Sequence, residues 1–91
     1  SLKQIFKIHS KNQPLSGDVS VDKLVTAMFE NKFNGADVAE MITDAFFNAI
    51  ERLGLHEKMD ARTFGFEDLK KILISKADFE RALERLVKQK L

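Results

Sequence analysis

Asn34-Gly35-Ala36-Asp37-Val38-Ala39-Glu40-Met41-Ile42-Thr43-Asp44-Ala45-Phe46-Phe47-Asn48-Ala49-Ile50-Glu51-Arg52-Leu53-Gly54 reads as a helix with both ends marked. Val38, Ile42, Ala45, Phe46, Ala49, Ile50 and Leu53 recur at helical spacing and make a wide apolar face. Asp37, Glu40, Asp44, Asn48 and Glu51 make the opposite polar face, expected to meet solvent. Asn34 is a suitable N-cap, and Asp37, three residues on, comes close to a capping box. Gly54 is a suitable C′ residue. The spacing predicts a helix over 36–53. Phe47 is out of pattern, since it falls among Thr43, Glu40 and Glu51.

Toward the N-terminus the same reasoning gives two more helices. Leu2, Ile5, Phe6 and His9 share a face over 2–11, which places His9 within an apolar stripe. Pro14-Leu15-Ser16-Gly17-Asp18 is a turn. A second helix over 21–31 has Ser20 as its cap and Leu24, Val25 and Met28 as its stripe. Toward the C-terminus, Leu55 to Arg62 is polar and irregular, and 66–73 reads as a short helix. A last helix over 76–90 starts at Ser75 and buries Phe79, Ala82, Leu83 and Leu86, with Glu84 and Lys88 spaced for an ion pair. There is no strand pattern and no repeat. The fold class is all-α: a compact bundle of four principal helices plus a short inserted helix.

Composition narrows the function. The chain has 91 residues, enough for one domain, and is 44% hydrophobic and 32% charged, as globular chains are. Its eight Phe, without Trp or Tyr, supply purely apolar mass for a core. A net charge of +1 gives no footprint for nucleic acid or an anionic membrane. The lack of cysteine excludes disulfides, thiolate zinc sites and a thiol nucleophile, and agrees with a cytoplasmic setting. No stretch reads as a membrane span or a signal peptide. None of Gly17, Gly35, Gly54 or Gly65 is followed by Lys, so there is no phosphate-cradling P-loop. His56-Glu57-Lys58-Met59-Asp60 lacks the second His of a zinc protease. No self-contained active site is expected, and no metal ligand set. Lys3, Lys7 and Lys11 read as a solvated side of the first helix.

Three segments in order carry a resemblance. The first is Ile5-Phe6-Lys7-Ile8-His9-Ser10-Lys11-Asn12-Gln13-Pro14-Leu15, followed by Asp18-Val19; the second is Gly35-Ala36-Asp37-Val38-Ala39-Glu40-Met41, with Ala45 and Ala49-Ile50; the third is Asp78-Phe79-Glu80-Arg81-Ala82-Leu83. Together they resemble the C-terminal helical lid subdomain of AAA ATPases, including its sensor 2 segment, over about half of the chain. The resemblance implies that residues 1–91 are one lid domain, excised from a larger ATPase. It also implies that the lid closes over ATP at a hinge with an absent large nucleotide-binding domain of the same chain, which would hold the Mg. Ile5 and His9 would face adenine and ribose, while Gly35 and Ala36 would bring backbone near the base and phosphates. Neighbouring subunits of a hexamer would be partners, and hydrolysis would drive subunit motion on a substrate the sequence does not name. The parent would be an ATP hydrolase, but the fragment alone would not. Some AAA+ branches place an Arg at the start of the sensor 2 helix; the first turn here has none.

The segment 54–74 is longer than the family's usual connection and reads as an insertion. Phe64, Phe66, Leu69 and Leu73 are expected to need burial, and Phe47 offers a landing site. Without the resemblance, His9 and Ile5 read as core or boundary residues, Gly35 as a link glycine and Asp37 as a partner of the helix dipole. The alternative function is a free-standing helical interaction domain that buries a partner's helix and binds no nucleotide.

Overall fold

The computed structural model describes residues 1–57 and 65–90, with the backbone alone for Phe66 and Leu69. The principal helices are α1 (Leu2–His9), α2 (Val21–Glu30), α3 (Gly35–Arg52) and α5 (Lys76–Lys90), and α4 is the short Phe66–Lys70. This is the expected all-α bundle of four principal helices plus a short one, with no strand among the described residues.

Local chemistry sets the helix boundaries. Ser20 caps α2 through the Lys23 amide. Asn34 and Asp37 form a reciprocal capping box at the start of α3, each side chain accepting the other's backbone N–H at 2.9 Å. α3 ends at Arg52 with Leu53 as its C-cap, and Gly54 follows with a φ of +69°, which costs glycine nothing. At the start of α5, Ser75 Oγ accepts the Asp78 amide at 3.3 Å, and Asp78 Oδ2 accepts the Ser75 amide at 2.9 Å.

The core gathers one face from each principal helix. Phe6, Met28, Val38, Met41, Ile42, Ala45, Ala49, Ile50, Phe79, Ala82 and Leu86 are all buried. Phe6 and Phe79 join the first and last helices, with ring centroids 5.7 Å apart in a tilted arrangement. α1 packs on α2 and α3, and α3 packs along α5.

Three expectations need correction. α1 stops at His9, because Ser10 Oγ donates to Phe6 O at 2.8 Å and the chain turns there. Its buried stripe is centred on Phe6, with half-buried Leu2 and Ser10 four residues to either side; His9 falls to the flank and is exposed. α4 ends at Lys70, and Ile72-Leu73-Ile74 runs on as irregular chain ending in an isolated parallel bridge between Leu15 and Ile74. Ser16 N donates to Ile74 O at 2.9 Å, and Ile74 N donates to Pro14 O at 3.0 Å. Near-extended backbone turns alternate residues to opposite sides, so Ile72 and Ile74 are buried while Leu73 is 49% exposed rather than covered. Phe64 and residues 58–62 lie outside the described residues, as do the side chains of Phe66 and Leu69. Phe47 does stand off the core, half exposed, edge-on to Phe46 at 5.9 Å.

The polar face of α3 is the third correction. It does not simply meet solvent; much of it forms a seam with α5. Lys90 pairs with Asp37 at 3.0 Å, Arg85 with Glu40 at 3.2 Å and Asp44 at 3.0 Å, and Arg52 with Asp78 at 3.1 Å. Between them, Asn48 Nδ2 donates to Asp78 O at 3.0 Å. The order of these contacts makes the helices antiparallel. Pairs this accessible contribute at most about 1 kcal/mol each, so the seam sets register more than stability. Its Asp78 end differs. That residue is 2% exposed, and its carboxylate accepts from the Arg52 guanidinium, the Ser75 amide and the Ser75 hydroxyl. Burial pushes the carboxyl up; the Arg52 and Ser75 donors outweigh it, so Asp78 titrates below the usual carboxylate range. Arg52 also donates to Leu73 O at 3.0 Å, which ties the 54–74 segment to α3.

Candidate functional site

Two segments far apart in sequence meet at the start of α3. A Cβ placed on Gly35 would lie 3.6 Å from Ile5 Cδ1, an ordinary van der Waals distance. The tip of Ile5 and the backbone of Gly35 therefore form one continuous surface. Ile5 is half-buried against the core, Gly35 is half-exposed and Ala36 is exposed. His9 lies one turn along α1 from Ile5 and is open to solvent. The expected set thus divides: Ile5 and Gly35 touch, while His9 and Ala36 are exposed residues beside them in sequence.

The fold does not need glycine at position 35. Its φ is not in the left-handed region, unlike that of Gly54, and a methyl group would meet only Ile5. The missing side chain leaves backbone accessible without a local structural reason. Among the described residues the Gly35 and Ala36 amides have no hydrogen-bond acceptor, as expected for the first turn of a helix. A half-exposed isoleucine beside accessible backbone suits a flat apolar group with polar edges.

Charge limits which part of an anionic ligand can sit here. The Asp37 carboxylate already occupies the N-terminal end of α3. The Asn34 amide, and after it Lys90, hold its titration below the usual carboxylate range. The helix end therefore carries its own anion, paired with the Lys90 ammonium. A neutral ring meets no charge conflict at this turn, and a phosphate would meet the Asp37–Lys90 pair.

Concave surface also exists elsewhere. A groove of about 220 Å³ lies between α2 and α5, with Val19, Leu24, Ala27, Phe79 and Leu83 in its walls. It contains none of Ile5, His9, Gly35 or Ala36. Phe29 is 75% exposed and shares shallow depressions with Leu2, Val25 and Phe33. Among the described residues no three His, Cys, Asp or Glu side chains converge to hold a metal ion, and no helix is long and apolar enough to cross a membrane.

Curated proteins similar over nearly the whole chain include these two. One is Protein SAV of Sulfolobus acidocaldarius, 31% identical over 86 residues, which include 92% of this chain. The other is a cell division cycle protein 48 homolog of Archaeoglobus fulgidus, 29% identical over 84 residues and again 92% of the chain. The 91 residues are related to a region of these proteins. They span only 11% of the length of each relative. No protein-family model matches the chain.

The sequence pointed to Ile5 and Gly35 and carried Asp78 in the third resembling segment, but the partners of Asp78 were missed. The signal was available as complementary charge: α3 carries acids at its start and Arg52 at its end, while α5 carries Asp78 at its start and Arg85 and Lys90 toward its end. Two antiparallel helices so marked pair acid with base along their length.

Proposed function

We propose that this chain is the helical lid of an AAA ATPase and contributes one wall of an ATP site at the hinge with a large domain. The observation that carries the reading is the apposition of Ile5 and Gly35, which brings an apolar side chain and exposed backbone together from two of the three resembling segments. Similarity to a cell division cycle protein 48 homolog supports it. In this reading Ile5 and the Gly35-Ala36 backbone lie against adenine, and His9 reaches toward the ribose from the flank of α1. ATP supplies the phosphoryl chemistry, with Mg and the hydrolytic groups on the large domain. The lid transmits nucleotide state as motion to neighbouring subunits of a hexamer in the cytoplasm, and the 54–74 segment is an insertion particular to this lid.

The test uses the full-length protein that contains this segment. A fluorescent adenine nucleotide is titrated into wild type and Gly35→Val. Wild type binds, and the variant loses affinity while its melting temperature stays within a few degrees. Equal affinity in the two proteins would overturn the reading. The isolated 91 residues should not turn over ATP, and turnover by them would move the catalytic groups onto this chain.

One observation favours the alternative of a helical interaction domain. Phe29 is 75% exposed and borders shallow depressions with Leu2, Val25 and Phe33, an apolar surface open to a partner. In the lid reading these residues meet the large domain or a neighbouring subunit; in the alternative they meet a separate partner's helix. A Walker A and a Walker B motif in the residues preceding this segment would decide for the lid, and a disordered linker there for the adaptor.

A further inference from the structure

We infer that Lys90 is a positioning residue for the Gly35 turn, acting from the last turn of α5 through Asp37 and Phe33. The inference deepens the nucleotide reading of that turn and rests on it. The Lys90 ammonium lies 3.0 Å from Asp37 Oδ2, and that same oxygen accepts the Asn34 amide at 2.9 Å. The ammonium also lies 5.7 Å from the centroid of the Phe33 ring. One cation therefore contacts the residue just before Asn34-Gly35-Ala36 and the residue just after it. Phe33 is buried, and its amide donates to Met28 O at 2.9 Å. The turn is thus held between the end of α2 and the end of α5.

The other cations near the end of α5 are committed elsewhere. Lys88 pairs with Glu84 of its own helix, and Arg85 pairs with Glu40 and Asp44, farther into α3. Among the described residues the ion pair from α5 to the first turn of α3 is made by Lys90. This matters because a capping box is a local device at a helix end, where fraying begins. A ligand pressed against Gly35 loads that end. Through Lys90 the load passes to α5, which Phe79, Ala82 and Leu86 anchor in the core. A shift of the last turn of α5 would conversely move the turn that meets the base.

The test compares Lys90→Met, which keeps most of the stem and removes the charge, with Lys90→Arg and with Lys88→Met as a control. In the 91-residue chain, NMR follows the acid titration of Asp37 and the amide signals of Asn34 to Asp37. In the full-length protein, titration with a fluorescent adenine nucleotide gives the dissociation constant. Lys90→Met should raise the Asp37 midpoint and shift the Asn34 amide. It should also weaken nucleotide binding about two- to fivefold, the scale of one half-exposed ion pair. Lys90→Arg should restore all three, and Lys88→Met should move none. If wild type binds nucleotide and Lys90→Met matches Lys88→Met, the role of Lys90 falls while the reading of the turn stands. If Lys90→Met leaves the Asp37 midpoint and the Asn34 amide unmoved, the role falls whatever the affinity does. If wild type fails to bind nucleotide, the reading of the turn falls first and the inference with it.

Discussion

Replacing Gly35 by alanine separates what the fold requires from what a ligand requires. Position 35 opens α3, its φ is ordinary, and a Cβ there would stand 3.6 Å from Ile5 Cδ1. Alanine at a compatible position stabilises a protein by about 0.4–1 kcal/mol, chiefly because the unfolded chain has fewer conformations to lose. Partial burial of the new methyl group against Ile5 acts in the same direction. For a domain of this size, the gain should raise the melting temperature by about 2–8 °C. A nucleotide base packed on the turn would feel the methyl as overpacking, at a cost of about 1–3 kcal/mol, or about 5- to 150-fold in dissociation constant. The assays are thermal unfolding of the 91-residue chain and nucleotide titration of the full-length protein. Stability and affinity should move in opposite directions. If alanine instead destabilised the chain by more than about 1 kcal/mol, the fold itself would be using the glycine. Unchanged affinity would remove the base from this turn.

Other perturbations follow from the same contacts. Asp78→Ala should lower stability by about 1–3 kcal/mol in denaturant unfolding, because it leaves the Ser75 donors without their acceptor and takes the carboxylate from half-exposed Arg52. Asp37 and Asp78 both titrate below the ordinary carboxylate value, so their contribution is complete above the unfolded pKa of about 4 and is lost as pH falls through the lower folded values. Stability should therefore be flat near neutrality and fall on acidification, with a shallower fall in Asp78→Asn. In Arg52→Met the burial of Asp78 loses its main counterweight, so the Asp78 midpoint measured by NMR should rise and the acid transition should begin at higher pH. Ile74→Ala should cost about 2–4 kcal/mol, and Leu73→Ala, one residue away but half exposed, less than about 1 kcal/mol.

The long helices were legible because their signals are local. Asn34, Asp37 and Gly54 mark the ends of α3 by hydrogen bonding and backbone freedom that any sequence context would reward. The Ile5–Gly35 contact was reached through the resemblance; the spacing within either segment says nothing about their meeting. What escaped was set at long range. Ile72-Leu73-Ile74 continues an apolar pattern that suits a helix, yet its backbone groups pair with Pro14 and Ser16, nearly sixty residues away. The acidic residues of α3 looked solvated because their partners lie on α5, and no periodicity within α3 reveals that. His9 was misplaced for a geometric reason. A stripe drawn through four residues of a short helix fixes its centre poorly, and a small rotation carries the flanking residue into solvent.

The bridge between Leu15 and Ile74, together with the Asp18 carboxylate that accepts the Lys76 amide at 3.2 Å, has a consequence for how the chain is made. Both contacts, and the Phe6–Phe79 pair beside them, join the earliest part of the segment to its latest. During synthesis α1, α2 and α3 emerge first, with Phe6 and much of the apolar face of α3 still waiting for α5. Until α5 leaves the ribosome α1 and α2 can cover only part of those surfaces, and the strip that Phe79, Ala82 and Leu86 will close stays open to chaperones and to misassembly.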